Sequence, residues 1–115
     1  MSHNRTQKEH QERITAVLAF IREHSETSHS LSELAAIACQ SPYHFGRVFQ
    51  AQTGRKPMAH VRRFRLVRAA LALRLTEQKI VEIGLDAGYA NHESFSRAFR
   101  AAFGTRPRVV VGNAM

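Results

Sequence analysis

The sequence predicts an all-α fold of about seven helices, arranged as two helix-turn-helix subdomains joined by a long central helix. Three observations carry this. The segments SPYHFGRVFQAQTGRKP (41–57) and NHESFSRAFRAAFGTRP (91–107) repeat one another, with Phe45, Arg47, Phe49, Ala51, Gly54 and Pro57 recurring as Phe95, Arg97, Phe99, Ala101, Gly104 and Pro107. Apolar residues recur at i, i+3, i+4 along the chain, and no stretch alternates as a strand does. Each repeat follows a short apolar segment and a tight turn, the order of a helix-turn-helix. Two copies are too few for a solenoid.

Taken in order, residues 1–8 are polar and expected to be disordered. Over 13–24, Ile14, Val17, Leu18 and Ile21 fall on one helical face, followed by a polar loop at 25–30. Ser30 with Glu33 three residues on is a capping box that opens LSELAAIA. After the turn Cys39-Gln40, Ser41 is an N-cap and Pro42 suits the first helical position; Phe45, Val48 and Phe49 form the buried stripe. Gly54 can close that helix in the left-handed conformation and Pro57 prevents its resumption. Residues 57–75 hold no internal Gly or Pro and are predicted as one unbroken helix with Met58, Val61, Phe64, Val67, Leu71 and Leu75 inward. IVEIGLDAG then repeats the short first helix, with a turn one residue longer before Asn91 caps the next. There Phe95, Ala98 and Phe99 face inward, and Gly104 and Pro107 mark the end. The organisation expected is a disordered 1–8, a first subdomain over 9–56, a linker helix over 57–75, a second subdomain over 76–111 and a tail at 112–115.

Composition bounds the function. With 115 residues and 43% hydrophobic content the chain suits one compact domain or two small subdomains. It holds no apolar run of 18 residues to span a membrane. The polar N-terminus has no signal-peptide pattern, and the single Cys39 cannot form an internal disulfide; both fit a reducing cytoplasm. The net charge of +8 is concentrated: residues 34–76 contain Arg47, Arg55, Lys56, Arg62, Arg63, Arg65, Arg68 and Arg74 and no acidic residue. Such an Arg-rich block is a footprint for phosphate, or alternatively a solvated or membrane-surface helix face; the flanking repeats favour nucleic acid.

At this point the chain resembles the DNA-binding domain of AraC/XylS-type bacterial transcription regulators, and in length the small members of that family. The resemblance covers roughly 31–107 and is most specific in IVEIGLDAGYANHESFSRAFRAAFGTRP, with its Ile-x-x-Ile start, Gly-aromatic turn, Phe-Ser-Arg-x-Phe core and Gly-x-x-Pro exit. Three departures stand out: Cys39 where the first turn usually has Gly, Gly84 where the second unit usually has Ala, and Val110-Val111 where the family tends to have Tyr-Arg. The resemblance implies a regulator of transcription, an activator that contacts RNA polymerase in the bacterial cytoplasm and nucleoid. It would bind double-stranded DNA as a monomer, reading two adjacent major-groove segments. The linker helix, about 27 Å for its ~18 residues, is of the scale needed to hold two readers about 34 Å apart. A shortfall would bend the DNA at a cost of about 1 to 6 kcal/mol. Two other readings stay open: a DNA-binding module of a larger ligand-sensing regulator, and a non-specific architectural nucleic-acid-binding protein.

Arg47 and Arg97 occupy equivalent outward positions and resemble the family's base-contacting arginines, each able to fork onto guanine O6 and N7. The competing role is a salt bridge to a carboxylate, and Glu93, four residues before Arg97, could orient it or accept from cytosine N4. Tyr43 and His44 in the first reading helix, with His92 and Ser96 in the second, are further base-contact candidates, against plain surface residues. Gly46 costs about 1 kcal/mol against Ala in a helix; it either lets the backbone approach DNA or forfeits a base contact. Ser41, Arg55, Lys56, Arg62, Arg65, Arg68, Arg100 and Arg106 are candidates for phosphate contacts, which fix register without reading sequence. The phenylalanines are core by spacing. The seven histidines show no HExxH or other metal pattern, no phosphate-binding Gly loop is present, and Cys39 reads as a small buried thiol. No enzyme activity, metal or organic cofactor is expected.

Overall fold

A computed structural model of the chain describes residues 2–25 and 27–111. Among these the fold is all-helical, with α1 (Ser2–Glu23), α2 (Leu31–Ile37), α3 (Pro42–Thr53), α4 (Pro57–Leu75), α5 (Ile80–Asp86), α6 (His92–Phe103) and α7 (Pro107–Val110). The expected tail at 112–115 lies outside the described residues. By contact density the chain forms two compact units, Met1–Val61 and Arg62–Met115, and the division falls inside the continuous 19-residue α4.

In the first unit α1 and α2 pack on α3. Ile14, Val17 and Ile21 of α1 are buried, as are Leu34, Ala35 and Ala38 in and after α2 and Phe45, Val48 and Phe49 of α3. The Phe45 and Phe49 rings have no solvent exposure and lie 5.6 Å apart, and burying such a side chain stabilises the fold by about 1.5 to 3 kcal/mol. Helix ends are where the sequence marks them. Ser30 accepts from Glu33 N at 3.1 Å, Ser41 accepts from His44 N at 3.2 Å, and Gly54 at φ 83 closes α3 by donating to the Gln50 carbonyl at 2.8 Å.

Two expectations are corrected in this unit. Residues 1–8 were expected to be disordered, yet α1 starts at Ser2. The stretch holds Arg5, Gln7 and Lys8 and no Gly or Pro, so good helix formers continue the helix whose buried face begins at Ile14. Cys39 is exposed rather than buried. It takes φ 57, the left-handed region, which turns its side chain outward while Gln40 N donates to the Ala35 carbonyl at 3.0 Å.

The second unit is built on Leu66, Ala69, Leu73, Ile83, Ala87, Phe95 and Phe99, with Tyr89, Phe103 and Val110 packed against them. Asn91 caps α6 by accepting from Ser94 N at 2.8 Å, and Gly104 at φ 76 closes it. α5 runs tight over α6: a Cβ on Gly84 would stand 2.9 Å from Phe95 Cδ2, which accounts for glycine in a buried helical position. α7 is a single turn on buried Pro107.

The inward face expected for α4 is corrected over its second half. Val61 is buried, but Leu66, Ala69 and Leu73 form the buried line, whereas Val67, Leu71 and Leu75 are exposed. From Leu66 onward apolar residues occupy nearly every position of this helix, so helical spacing can be traced along two faces. Contact with Ile83, Phe95 and Phe99 selects one of them. Arg63, buried in part, donates from Nη1 to the Ala102 carbonyl at 3.2 Å with its guanidinium 5.1 Å from the Phe103 ring centroid. It thereby satisfies a carbonyl that the end of α6 leaves without a helical partner.

Candidate nucleic-acid interface

With Phe45, Val48 and Phe49 inward, α3 turns Tyr43, His44, Arg47 and Gln50 to solvent. Tyr43 is 75% exposed, and the Arg47 guanidinium lies 5.8 Å over its ring, with Nη1 donating to the Tyr43 hydroxyl at 3.5 Å, the outer limit of a hydrogen bond. Stacking at i, i+4 limits the rotamers of Arg47 while leaving donors free. The His44 ring meets His10 of α1 edge-on, centroids 5.7 Å apart, so α1 braces the start of α3. Gly46 lies on the flank of this face, and a Cβ there would meet nothing within 4 Å.

α6 repeats the arrangement with other chemistry. Its 12 residues match the 12 of α3, and both are capped one residue before the helix by a side chain accepting from the third helical N–H. His92, Glu93, Arg97 and Arg100 are exposed, and Ser96 is half-buried with its Oγ 3.3 Å from His92 Nε2. Arg97 therefore sits at the position of Arg47, Ser96 at that of Gly46, and Glu93 at that of Tyr43.

The remaining candidates divide by exposure. Arg55, Lys56, Arg62, Arg68, Arg100 and Arg106 are exposed, and Ser41 is exposed while capping α3. Arg65 is half-buried: its Nη1 stands 2.9 Å from where a Cβ on Gly88 would be, so it packs along the turn between α5 and α6. Burial pushes the Tyr89 hydroxyl above the ordinary tyrosine range, and neighbouring Arg62 and Arg65 pull it back. Burial, aided by Arg55, holds His60 below the ordinary histidine value. Sequence reasoning did not find the His10 brace or the Arg63 contact with Ala102; the repeat could have drawn attention to neither, since His10 and Arg63 lie outside it. No group of three or more His, Cys, Asp or Glu that could hold a metal ion occurs among the described residues, and none of their helices is long and apolar enough to cross a membrane.

Two capped helices, each backed by a buried phenylalanine pair and each presenting an arginine at the same register, define a double helix-turn-helix protein. The chain matches the helix-turn-helix domain family over residues 34–112, and it belongs to the AraC/XylS-type family of DNA-binding transcription regulators. It is similar to the regulatory protein SoxS of Escherichia coli, 34% identical over 98 residues that cover 85% of this chain and 92% of SoxS. It is also similar to the right origin-binding protein of Escherichia coli, 35% identical over 94 residues, 82% of this chain but 32% of that protein. Among solved structures, an AraC-type regulator from Chromobacterium violaceum superposes with a TM-score of 0.82 at 28% identity, covering 87% of this chain and 89% of that one. The DNA-binding domain of the global transcriptional factor AdpA, solved in complex with a target DNA, does so with a TM-score of 0.77 at 25% identity, covering 84% of this chain and 86% of that one.

Proposed function

We propose that the protein is a sequence-specific transcription activator that binds double-stranded DNA as a monomer, reads two adjacent major-groove segments with α3 and α6, and contacts RNA polymerase. The observation that carries the reading is the equivalent, exposed placement of Arg47 and Arg97 on two identically capped helices. Tyr43, His44, Glu93, His92 and Ser96 surround them as further base contacts. Ser41, Arg55, Lys56, Arg62, Arg68, Arg100 and Arg106 hold phosphates, with Arg65 reaching the backbone from the flank of its turn. Solution of the AdpA domain on a target DNA supports this use of the fold. The activator role is supported by similarity to SoxS over nearly its whole length, and by a difference between the units: α5 exposes Val81 and Leu85, where the repeat gives α2 Ser32 and Ala36. α2 forms with Ser32 and Ala36 exposed at those positions, so the exposed apolar pair of α5 suits a protein contact in the nucleoid.

Arg47→Ala and Arg97→Ala test the reading. Each should weaken binding to a selected site by about 1 to 3 kcal/mol and relax preference in a different half of it. Equal loss on selected and random duplex would reduce both arginines to phosphate clamps and favour an architectural protein. A second reading, a DNA-reading module of a larger regulator, is supported by the right origin-binding protein, of which the similar region is 32%. Transcription from a template carrying the selected site, with this chain as sole added regulator, separates the two. Activation that is lost in a Val81→Ser, Leu85→Ala variant with unchanged DNA affinity supports the first.

A further inference from the structure

We propose that Gly46 is a reading position, and that the notch it leaves on α3 receives the C5 methyl group of a thymine. The inference rests on α3 being a DNA-reading helix. Of the five described glycines, Gly54, Gly88 and Gly104 have positive φ and Gly84 is pressed against Phe95. Gly46 has neither reason: its backbone is right-handed helix and a Cβ would stand in open space. Glycine inside a helix is unfavourable relative to almost any other residue, so the protein itself gains nothing from it. The second unit supplies the control, because α6 holds Ser96 at this position and is capped and closed like α3. Neither backbone conformation nor packing within the chain accounts for glycine here, and a partner at this surface would.

The chemistry of the notch selects its occupant. Gly46 N–H and C=O are spent in the α3 hydrogen-bond ladder, so the surface offers Cα hydrogens and no donor or acceptor. Tyr43 and Gln50 flank it at i−3 and i+4, the first presenting an aromatic ring. A phosphate or a polar base edge could bond the Tyr43 hydroxyl or the Gln50 amide at the rim, but at the floor of the notch it would find no partner. The apolar protrusion that the major groove offers is the thymine methyl.

The experiment exchanges the methyl between protein and DNA. A preferred duplex is selected with the wild-type chain, and each dT in the half that responds to Arg47→Ala is replaced by dU. One replacement should weaken wild-type binding about fourfold, as expected for one buried methyl-sized group. Gly46→Ala should melt at or above the wild-type temperature and bind the dT duplex about tenfold less tightly, a typical effect of overpacking. It should regain affinity on the dU duplex at that one position. Undiminished binding of Gly46→Ala to the dT duplex overturns the inference, as does a loss that no dU recovers, or a lower melting temperature. A wild type that prefers no duplex over random sequence overturns the proposed function and this inference together; a discriminating wild type indifferent to every dU overturns this inference alone.

Discussion

Cys39 and Gly88 occupy the same turn position in the two units, both in the left-handed region at φ 57 and φ 98. An L residue there carries a steric cost of about 1 to 2 kcal/mol, because its Cβ crowds the following carbonyl. Cys39→Gly removes that cost, and the exposed thiol takes no packing with it. Glycine also makes the unfolded chain more flexible, which offsets about 0.4 to 1 kcal/mol. The net expectation is stabilisation of about 0.5 to 1 kcal/mol, or about 4 °C in Tm per kcal/mol for a chain of this size. Urea and thermal unfolding followed by far-UV circular dichroism, with a reductant present, measure it. Cys39→Ala is the control: it keeps the Cβ and should be close to neutral. The reverse change, Gly88→Ala, should cost about 2 kcal/mol, combining the left-handed penalty with displacement of Arg65, whose Nη1 stands 2.9 Å from the new Cβ. A Cys39→Gly protein no more stable than the parent, or a neutral Gly88→Ala, would refute the argument from backbone geometry.

Three further outcomes follow from the same geometry and charge. Gly84→Ala should destabilise the protein by about 1 to 2 kcal/mol, since overpacking a core outweighs the helix-propensity gain; a raised urea midpoint would show that the Phe95 ring shifts freely. Because burial and Arg55 hold His60 below its ordinary value of 6.5, the unfolded chain binds its proton first. Stability should therefore be intact above that value and fall as pH drops through it toward the lower folded-state pKa. A His60→Gln variant should show a shallower fall, measured as the unfolding free energy at two pH values. If roughly six phosphates are neutralised, log affinity against log salt should have a slope of about −5; neutralising Arg62 and Arg68 should flatten it without changing the preferred sequence.

What could be read from sequence was what local chemistry writes into it. Ser30, Ser41, Asn91, Gly54 and Gly104 end helices through bonds to residues three or four positions away, so each cap was legible and stands where expected. The phenylalanine stripes were legible for the same reason. The face of α4 was not, because Leu66, Val67, Ala69, Leu71 and Leu73 satisfy more than one helical line, and only contact with α5 and α6 chooses between them. Arg63 reads as one more basic residue of the strut until α6 brings the Ala102 carbonyl to it across 39 positions. Exposure of Cys39 depends on one backbone angle that residue identity argues against.

The repeat also bears on the symmetry of the DNA that would be read. A two-fold dimer presents the same side chains to both half-sites, and its operators are accordingly palindromic. Here α3 and α6 share a register and an arginine but little else: Tyr43 corresponds to Glu93, Gly46 to Ser96, and Gln50 to Arg100. Glu93 repels phosphate and can accept from cytosine, whereas Tyr43 offers a ring and a hydroxyl. If both faces read DNA, such unlike side chains would favour different base pairs beyond any that Arg47 and Arg97 contact. On the proposed reading the preferred duplex therefore has no internal two-fold symmetry. Exchanging the outward residues of α6 for those of α3 (Glu93→Tyr, Ser96→Gly, Arg100→Gln) should make the preferences of the two half-sites converge; a selected duplex whose halves stay as unlike as those of the parent would refute this reasoning.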